Sequence, residues 1–390
     1  MKPRSRAKTA VSPAENGPSA RALAEALLRW FAAHAEDLPW RRVTDPYAVW
    51  VSEIMLQQTQ VGTVIPYYER WLRALPDVAA LAAAPLERVL KLWEGLGYYT
   101  RARNLHRAAG EIMRRHGGRF PRAFAEVLAL PGIGRYTAGA VCSIAFNQPR
   151  PILDGNVIRV LARVYGIAAP VRESATQKRL WARAEALVRA AARARSKIPS
   201  RPERLGARIV RDTPRGALNQ ALMELGRRVC TPRRPGCDEC PLARRCRACR
   251  EDAVSRLPHL GRRPATVTRR VVAVVIERRG RFLVQQRPAG GVNAGLWEFP
   301  NTDCDGQPVT PATLAARWPL LVADSLRPLV TLQHRITRHQ ITLEVWRGHA
   351  RPGPVARAPA QRWLRLAEAA RRPFTAAHRR ILEKLRSLSA

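Results

Sequence analysis

The pattern of apolar and polar positions changes once along the chain. From Ala20 to about Cys249, apolar residues recur at intervals of three and four in "ARALAEALLRWFAAHAE", "DPYAVWVSEIMLQQTQV", "PLERVLKLWEGLG", "RARNLHRAAGEIMRRHG", "TQKRLWARAEALVRAAARA" and "ALNQALMELGRRV", with Pro and Gly between them. This spacing predicts a domain of short helices. A basic stretch before the last of them, "RARSKIPSRPERLGARIVRDTPRG" (193–216), is broken by Pro and Gly and reads as an exposed loop. "AVSRLPHLGRRPATVTRR" has no periodicity and reads as a linker. Beyond it, "RRVVAVVIERRGRFLVQQR" gives two β-rich runs around a Gly turn, and "HQITLEVWRG" places Ile341, Leu343 and Val345 on one face. Helical patterns around "QRWLRLAEAARR" and "AHRRILEKLRSL" end the chain. The expected divisions are a flexible basic N-terminus (1–19), a helical domain (20–250), a linker (251–268) and a mixed α and β domain (269–390).

A length of 390 residues suits two or three domains, and 46% apolar residues suffice for buried cores. A formal charge of +38 changes the picture, because such a surface attracts polyanions and repels itself without them. Nucleic acid is the first partner to consider. The charge is nearly all arginine spread along the chain, which a coding bias would also produce, so charge alone does not decide. No window approaches the roughly eighteen apolar residues of a membrane span, and "MKPRSRAKTAVSPAENGPSA" lacks the compact apolar core of a secretory signal. A soluble cytoplasmic protein is the simple reading. The Arg, Ser and Ala of that segment also suit an organelle transit peptide.

Four of the seven cysteines, Cys230, Cys237, Cys240 and Cys246, stand as C-x6-C-x2-C-x5-C in "CTPRRPGCDECPLARRC". Soft thiolates in one tight loop suit a 4Fe-4S cluster ahead of zinc, which favours two separated pairs; Cys249 is a spare. A metal that pins a loop carrying Arg233, Arg234, Arg244 and Arg245 would also present charge to phosphates.

In "LPGIGRYTAGAV", Gly132 and Gly134 allow a tight turn that leaves amide hydrogens at the start of the next helix, a position that suits an anion. This is the form of a helix-hairpin-helix, which holds a DNA phosphate without reading sequence. From Pro46 to Tyr68 the single charged residue is Glu53, among Trp50, Val51, Ile54, Met55 and Leu56. Desolvation there would raise its pKa and let it carry a proton at neutral pH, although a structural glutamate satisfied by an amide is the plainer reading of Glu53 alone. Asp154 in "PILDGNVIRV" reads as a helix N-cap. Taken as a pair, the two acids suit glycosidic bond cleavage, one protonating the leaving group and one facing the cationic sugar.

These blocks, with "DLPWR", "WEGLGYYTRARNLH" and "NQALMELG", follow one another in an order that resembles MutY-type adenine DNA glycosylases of the helix-hairpin-helix, endonuclease III-like superfamily, over about residues 20 to 250. The resemblance implies a mainly α glycosylase domain with a structural 4Fe-4S loop. It implies Glu53 as the general acid that protonates adenine and later helps position water, and Asp154 as the group that stabilises or transiently bonds the sugar cation. Asn156 and Tyr136 would orient these groups and the water, Arg41 and Gln220 would contact the extruded adenine, and Gln58, Leu96 and Tyr98 would fill the gap in the stack. Bifunctional relatives such as endonuclease III carry lysine where this chain has Tyr136, so a monofunctional enzyme that leaves an intact abasic site is expected. The implied partner is double-stranded DNA containing adenine opposite 8-oxoguanine or guanine, bound by a monomer in the cytoplasm, at the bacterial nucleoid.

The C-terminal part, through "VVAVVIERRGRFLVQQRPAGGVNAGLWEFPN", resembles the smaller α+β Nudix-like domain of the same family. A Nudix hydrolase follows this region with a glutamate-rich, magnesium-holding helix. "TDCDGQPVTPATLAARWPLL" has none, so a reader of the opposite base is expected. The family reads 8-oxoguanine with a Phe-Ser-His turn, and this chain has Ile336, Thr337 and Arg338 there, with His339 next, so Thr337 keeps the hydroxyl and the histidine is displaced. Two alternatives stay open: a thymine-removing mismatch glycosylase of the same fold, against which Glu53 and the Nudix-like domain argue, and an inactive DNA-binding scaffold, against which the joint presence of Glu53 and Asp154 argues.

Overall fold

The computed structural model describes residues 18–194, 204–261, 265–304, 306, 308–353 and 360–388, so nearly all of the expected flexible N-terminus lies outside the described residues. The described residues form two compact units, one from those within 1–49 and 134–261, the other from those within 50–133 and 262–390. Among the described residues no helix is long and apolar enough to cross a membrane.

The first unit is helical. Helices Ala20–His34, Gly155–Tyr165, Ser174–Ala194 and Pro214–Arg228 follow the predicted segments. Pro214–Arg228 is central, with both faces buried, and the side-chain amide nitrogen of its Asn219 donates to Ser143 Oγ (2.8 Å) and the Arg150 carbonyl (2.9 Å). The basic stretch expected as an exposed loop is only partly one to correct: residues 195–203 lie outside the described residues, but Leu205–Asp212 is a helix with Gly206, Ile209 and Val210 buried. Gly206 permits helix contact, since a Cβ there would lie 2.3 Å from the Phe31 carbonyl oxygen.

The second unit holds helices Val61–Ala74, Leu86–Trp93, Thr100–His116 and Phe124–Ala129, with the C-terminal α+β part. Its sheet contains β1 (Val267–Arg278), β2 (Arg281–Gln286), β3 (Trp297–Glu298), β4 (Asn301–Asp303), β5 (Arg327–Ile336), β6 (His339–His349) and β7 (Gln361–Leu364). The main order is β3-β2-β1-β6-β5; β1 and β6 run parallel, β4 pairs with β1, and β7 pairs with β2. Alternation along β1 sends Ala273 and Val275 to a core closed by helix Ala376–Ser387, and Val272, Val274 and Ile276 to one containing Leu314 of helix Pro311–Arg317. "QRWLRLAEAARR", expected as helical throughout, is corrected in its first part. Residues Gln361–Leu364 are a strand on the edge of β2, with Trp363 and Leu364 feeding opposite cores, and only Leu366–Ala370 is helical. An open sheet edge is a tertiary demand that overrides a weak helical period.

Within this unit the C-terminal part is fastened to helix Leu86–Trp93 and its C-cap. Trp297 Nε1 donates to Glu87 at 2.9 Å, Arg372 to Glu87 at 2.5 Å, and the Glu94 carboxylate accepts from the Phe374 amide (2.8 Å), Arg379 Nε (2.9 Å) and Lys91 Nζ (2.6 Å).

Candidate active site

Glu53 lies on helix Pro46–Leu56, which is apolar on every face and therefore buried on every face: Tyr47 through Met55 are all in the core. Glu53 is 4% exposed. A carboxyl group in such a helix is costly to charge unless compensated.

Asp154 caps helix Gly155–Tyr165. Its Oδ1 accepts the Val157 amide at 2.7 Å, and its Oδ2 accepts Asn156 Nδ2 at 3.0 Å. Burial pushes its pKa above the ordinary carboxylate value; the Val157 amide, the Asn156 side chain and Arg159 pull the other way without cancelling it. Arg159 Nη2 donates to Asn156 Oδ1 at 2.8 Å, and its Nε donates to the Cys230 carbonyl at 2.7 Å. One turn on, Arg163 (1% exposed) donates to Cys230 Sγ (3.3 Å), the Thr231 carbonyl (2.8 Å) and the Leu257 carbonyl (2.9 Å). Two arginines at i and i+4 thus tie the cysteine loop to the helix that begins at Asp154.

The cysteines of that loop lie near one another. Burial, with added effect from Cys230, Cys246 and Cys237, pushes the Cys240 thiol up to about 12 against the Leu242 amide, and Cys249 hydrogen-bonds Cys237. Among the described residues no group of three or more His, Cys, Asp or Glu converges on a single-ion position. Tyr136, in the first turn of helix Arg135–Ile144, donates from its hydroxyl to Met223 Sδ at 3.2 Å.

Arg41 and Gln220 line one cavity of about 380 Å³ in the first unit. Arg41 closes the short helix Pro39–Arg41, which Pro39 opens, and is 9% exposed. Its Nη1 bonds Glu224 and the Glu36 carbonyl (3.0 Å), while its Nε has no hydrogen-bond partner among the described residues. Burial pushes its pKa below that of an ordinary arginine, with Glu224 opposing. The far wall comes from Arg208, Ile209, Asp212 and Thr213 of the basic stretch.

The hairpin links helix Phe124–Ala129 to helix Arg135–Ile144. Gly132 has φ +75°, and a Cβ there would lie 2.5 Å from Asn104 Cβ, so both conformation and space require glycine. Gly134 is the N-cap and has no side chain to cap the first-turn amides. A cavity of about 270 Å³ brings Gly132 together with Gln58 and Tyr98. Gln58 and Tyr98 are exposed, Tyr98 by 48%, whereas Leu96, expected beside them, is 6% exposed and packs inward. Thr337 and Arg338 form the exposed two-residue tip between β5 and β6, with Ile336 paired opposite His339. Thr337 has φ +52° and its Oγ1 donates to the Ile336 carbonyl at 2.7 Å. Helix Pro311–Arg317, after the Nudix-like strands, has the sequence PATLAAR and no acid.

Glu224, Arg159 and Arg163 had not been singled out from sequence. Glu224 and Arg163 are charges on otherwise buried helix faces, and Arg159 is half-buried; Glu224 lies four residues from Gln220 and the arginines lie four apart, a spacing that marks one helix face.

The profile of HhH-GPD superfamily base excision DNA repair proteins matches residues 51–186, and a NUDIX domain profile matches residues 271–384. The helical hairpin domain followed by a Nudix-like α+β domain is therefore that of a base-excision DNA repair protein. Among curated relatives, the adenine DNA glycosylase of Rattus norvegicus is 41% identical over 70% of this chain and 59% of its own length; that of Mus musculus is 37% identical over 87% of this chain and 73% of its own. A bacterial adenine DNA glycosylase, of Buchnera aphidicola subsp. Schizaphis graminum, is 34% identical over 71% and 74%. The chain belongs to the adenine DNA glycosylase family of base excision repair enzymes. A solved thermostable thymine-DNA glycosylase is similar over 60% of this chain, at 26% identity and TM-score 0.48; the sequence relatives decide the family.

Proposed function

We propose that the protein is a monofunctional glycosylase that extrudes adenine paired with 8-oxoguanine or guanine and hydrolyses its N-glycosidic bond. The observation that carries the reading is the burial of Glu53 in the middle of an apolar helix, in a chain of this family. The carboxylic acid of Glu53 protonates the adenine ring, so the bonding pair of the sugar–base bond leaves with a neutral base. The carboxylate of Asp154 faces the oxocarbenium-like sugar. Water then bonds the sugar carbon and gives its proton to Glu53, restoring the acid. Asn156 holds the Asp154 carboxylate, and Tyr136 orients the site without offering an amine, so no Schiff base forms. Arg41 and Gln220 grip the extruded base in their shared cavity, with the unpartnered Arg41 Nε as an available donor.

Cys230, Cys237, Cys240 and Cys246 would hold a 4Fe-4S cluster. The donor set fits: four mutually close thiols come from one loop that the buried Arg163 and the half-buried Arg159 already fix. The cluster would hold the basic loop in one shape, and the chain's own contribution is the tie from that loop through Arg159 to Asn156 and Asp154. The hairpin around Gly132 and Gly134 would grip a phosphate of the duplex. The C-terminal domain, with no acid on Pro311–Arg317, reads the base opposite adenine through the Thr337–Arg338 tip and does not hydrolyse nucleotides.

The test is base release from duplexes carrying adenine opposite 8-oxoguanine, adenine opposite guanine, and thymine opposite guanine, with and without alkali. Adenine release with strand breaks only after alkali is expected. Thymine release, or breaks without alkali, would contradict the reading.

A further inference from the structure

Two residues assigned above to the gap-filling wedge share an uncommon backbone. Gln58 has φ +57° and Tyr98 has φ +48°, left-handed values that non-glycine residues adopt at an energetic cost. Such strain persists only where the surroundings over-determine it.

One side chain reaches the surroundings of both turns. Arg101, in the first turn of helix Thr100–His116, reaches both turns with its guanidinium. Its Nη1 donates to the carbonyls of Gln57 (2.6 Å), Ile54 (2.7 Å) and Met55 (3.1 Å). Its Nη2 donates to the carbonyls of Leu96 and Gly97, both at 3.2 Å, and approaches Thr59 Oγ1 at 3.5 Å. The ring of Trp93 lies 5.2 Å and that of Tyr98 5.5 Å from its central carbon, and Trp93 Nε1 adds a second bond to the Gly97 carbonyl at 2.9 Å. Ile54 and Met55 belong to the last turn of the Glu53 helix, where carbonyls lack helical partners and a cation is favoured. Burial pushes Arg101 down only to about 10, so it stays charged at neutral pH.

We propose that Arg101 is a positioning residue that presets the wedge, fastening the Gln58 and Tyr98 turns to each other and to the end of the Glu53 helix before DNA arrives. The proposal rests on the proposed extrusion of adenine and on the wedge role that the family resemblance implies for Gln58 and Tyr98. A planar fork with several donors can span both turns; a lysine ammonium at the same place is a compact point charge and cannot. Losing the fork therefore loosens base extrusion and leaves bond cleavage of an already unstacked base nearly intact.

The experiment compares the full-length wild type with Arg101→Lys in three readouts. Extrusion, followed by the fluorescence rise of 2-aminopurine placed opposite guanine, is expected to slow about tenfold or more, while single-turnover adenine release opposite an abasic site, where unstacking is easy, stays within about threefold. Equal loss on both substrates would mean general damage and overturn the proposal. Amide exchange at residues 57–59 and 96–98 is expected to rise with the rest of the chain unchanged; unaltered exchange at these turns also overturns it. If Arg101→Lys folds poorly, adding Gln58→Gly should recover part of the lost melting temperature by removing one strained residue, and no recovery would count against Arg101 as the restraint. If the wild type extrudes nothing while exchange rises in the variant, the wedge assignment falls and the fastening stands.

Discussion

Asn156 is oriented toward Asp154 by a third residue: Arg159 donates to Asn156 Oδ1 at 2.8 Å, which turns Nδ2 to the Asp154 carboxylate at 3.0 Å. The bond favours the charged form of an acid that burial pushes toward protonation. Asn156→Ala removes that support, so Asp154 stays protonated to higher pH. The acid side of the single-turnover rate profile should move upward in pH, while the Val157 amide bond keeps the helix capped. An unmoved acid limb would show that Asn156 does not act through Asp154.

Arg41 depends on Glu224, whose side chain is fully buried and accepts from Arg41, from Arg228 at 2.8 Å and from the Glu36 amide at 3.0 Å. Removing one partner of a buried pair strands the other charge. Glu224→Ala should lower the unfolding free energy by about 3–5 kcal/mol in urea titration, and Glu224→Gln, which keeps an acceptor, by less. A loss under about 1 kcal/mol, the scale of a surface pair, would mean that Arg41 is satisfied otherwise.

His378 should make the C-terminal domain acid-sensitive. Its Nδ1 accepts the Phe299 amide at 3.0 Å, and burial pushes its pKa from 6.5 to about 4. Above pH 6.5 the imidazole is neutral in both folded and unfolded chains. Below it the unfolded chain binds a proton that the folded domain refuses, so stability falls as pH drops from 6.5 through about 4. The loss should reach roughly 3 kcal/mol at the bottom of that window, at about 1.4 kcal/mol per unit. His378→Gln should flatten this part of the stability profile, and an equally steep profile would place the sensitivity elsewhere.

Much of this was legible locally. The cysteine spacing, the Gly132 and Gly134 turn and the lone Glu53 are signals confined to a few neighbouring residues, and the helices from Ala20 to His116 follow their apolar period. What escaped depends on contacts far along the chain. Helix Leu205–Asp212 hides behind arginines and a glycine whose role is to let Phe31 approach. β7 exists because β2 has an open edge. Arg101 stands in a run of basic residues, "RAR", and nothing in that run marks the one guanidinium that holds the turns of Gln58 and Tyr98, about forty residues apart.

The role of Glu53 as general acid is tested most directly by single-turnover release of adenine from an adenine:8-oxoguanine duplex by the wild type and by Glu53→Gln, with duplex affinity measured in parallel. A loss of about a hundredfold or more with affinity preserved is the predicted result, since glutamine cannot donate a carboxylic proton. Release at a near wild-type rate by Glu53→Gln would contradict the assignment of the general acid and the mechanism built on it.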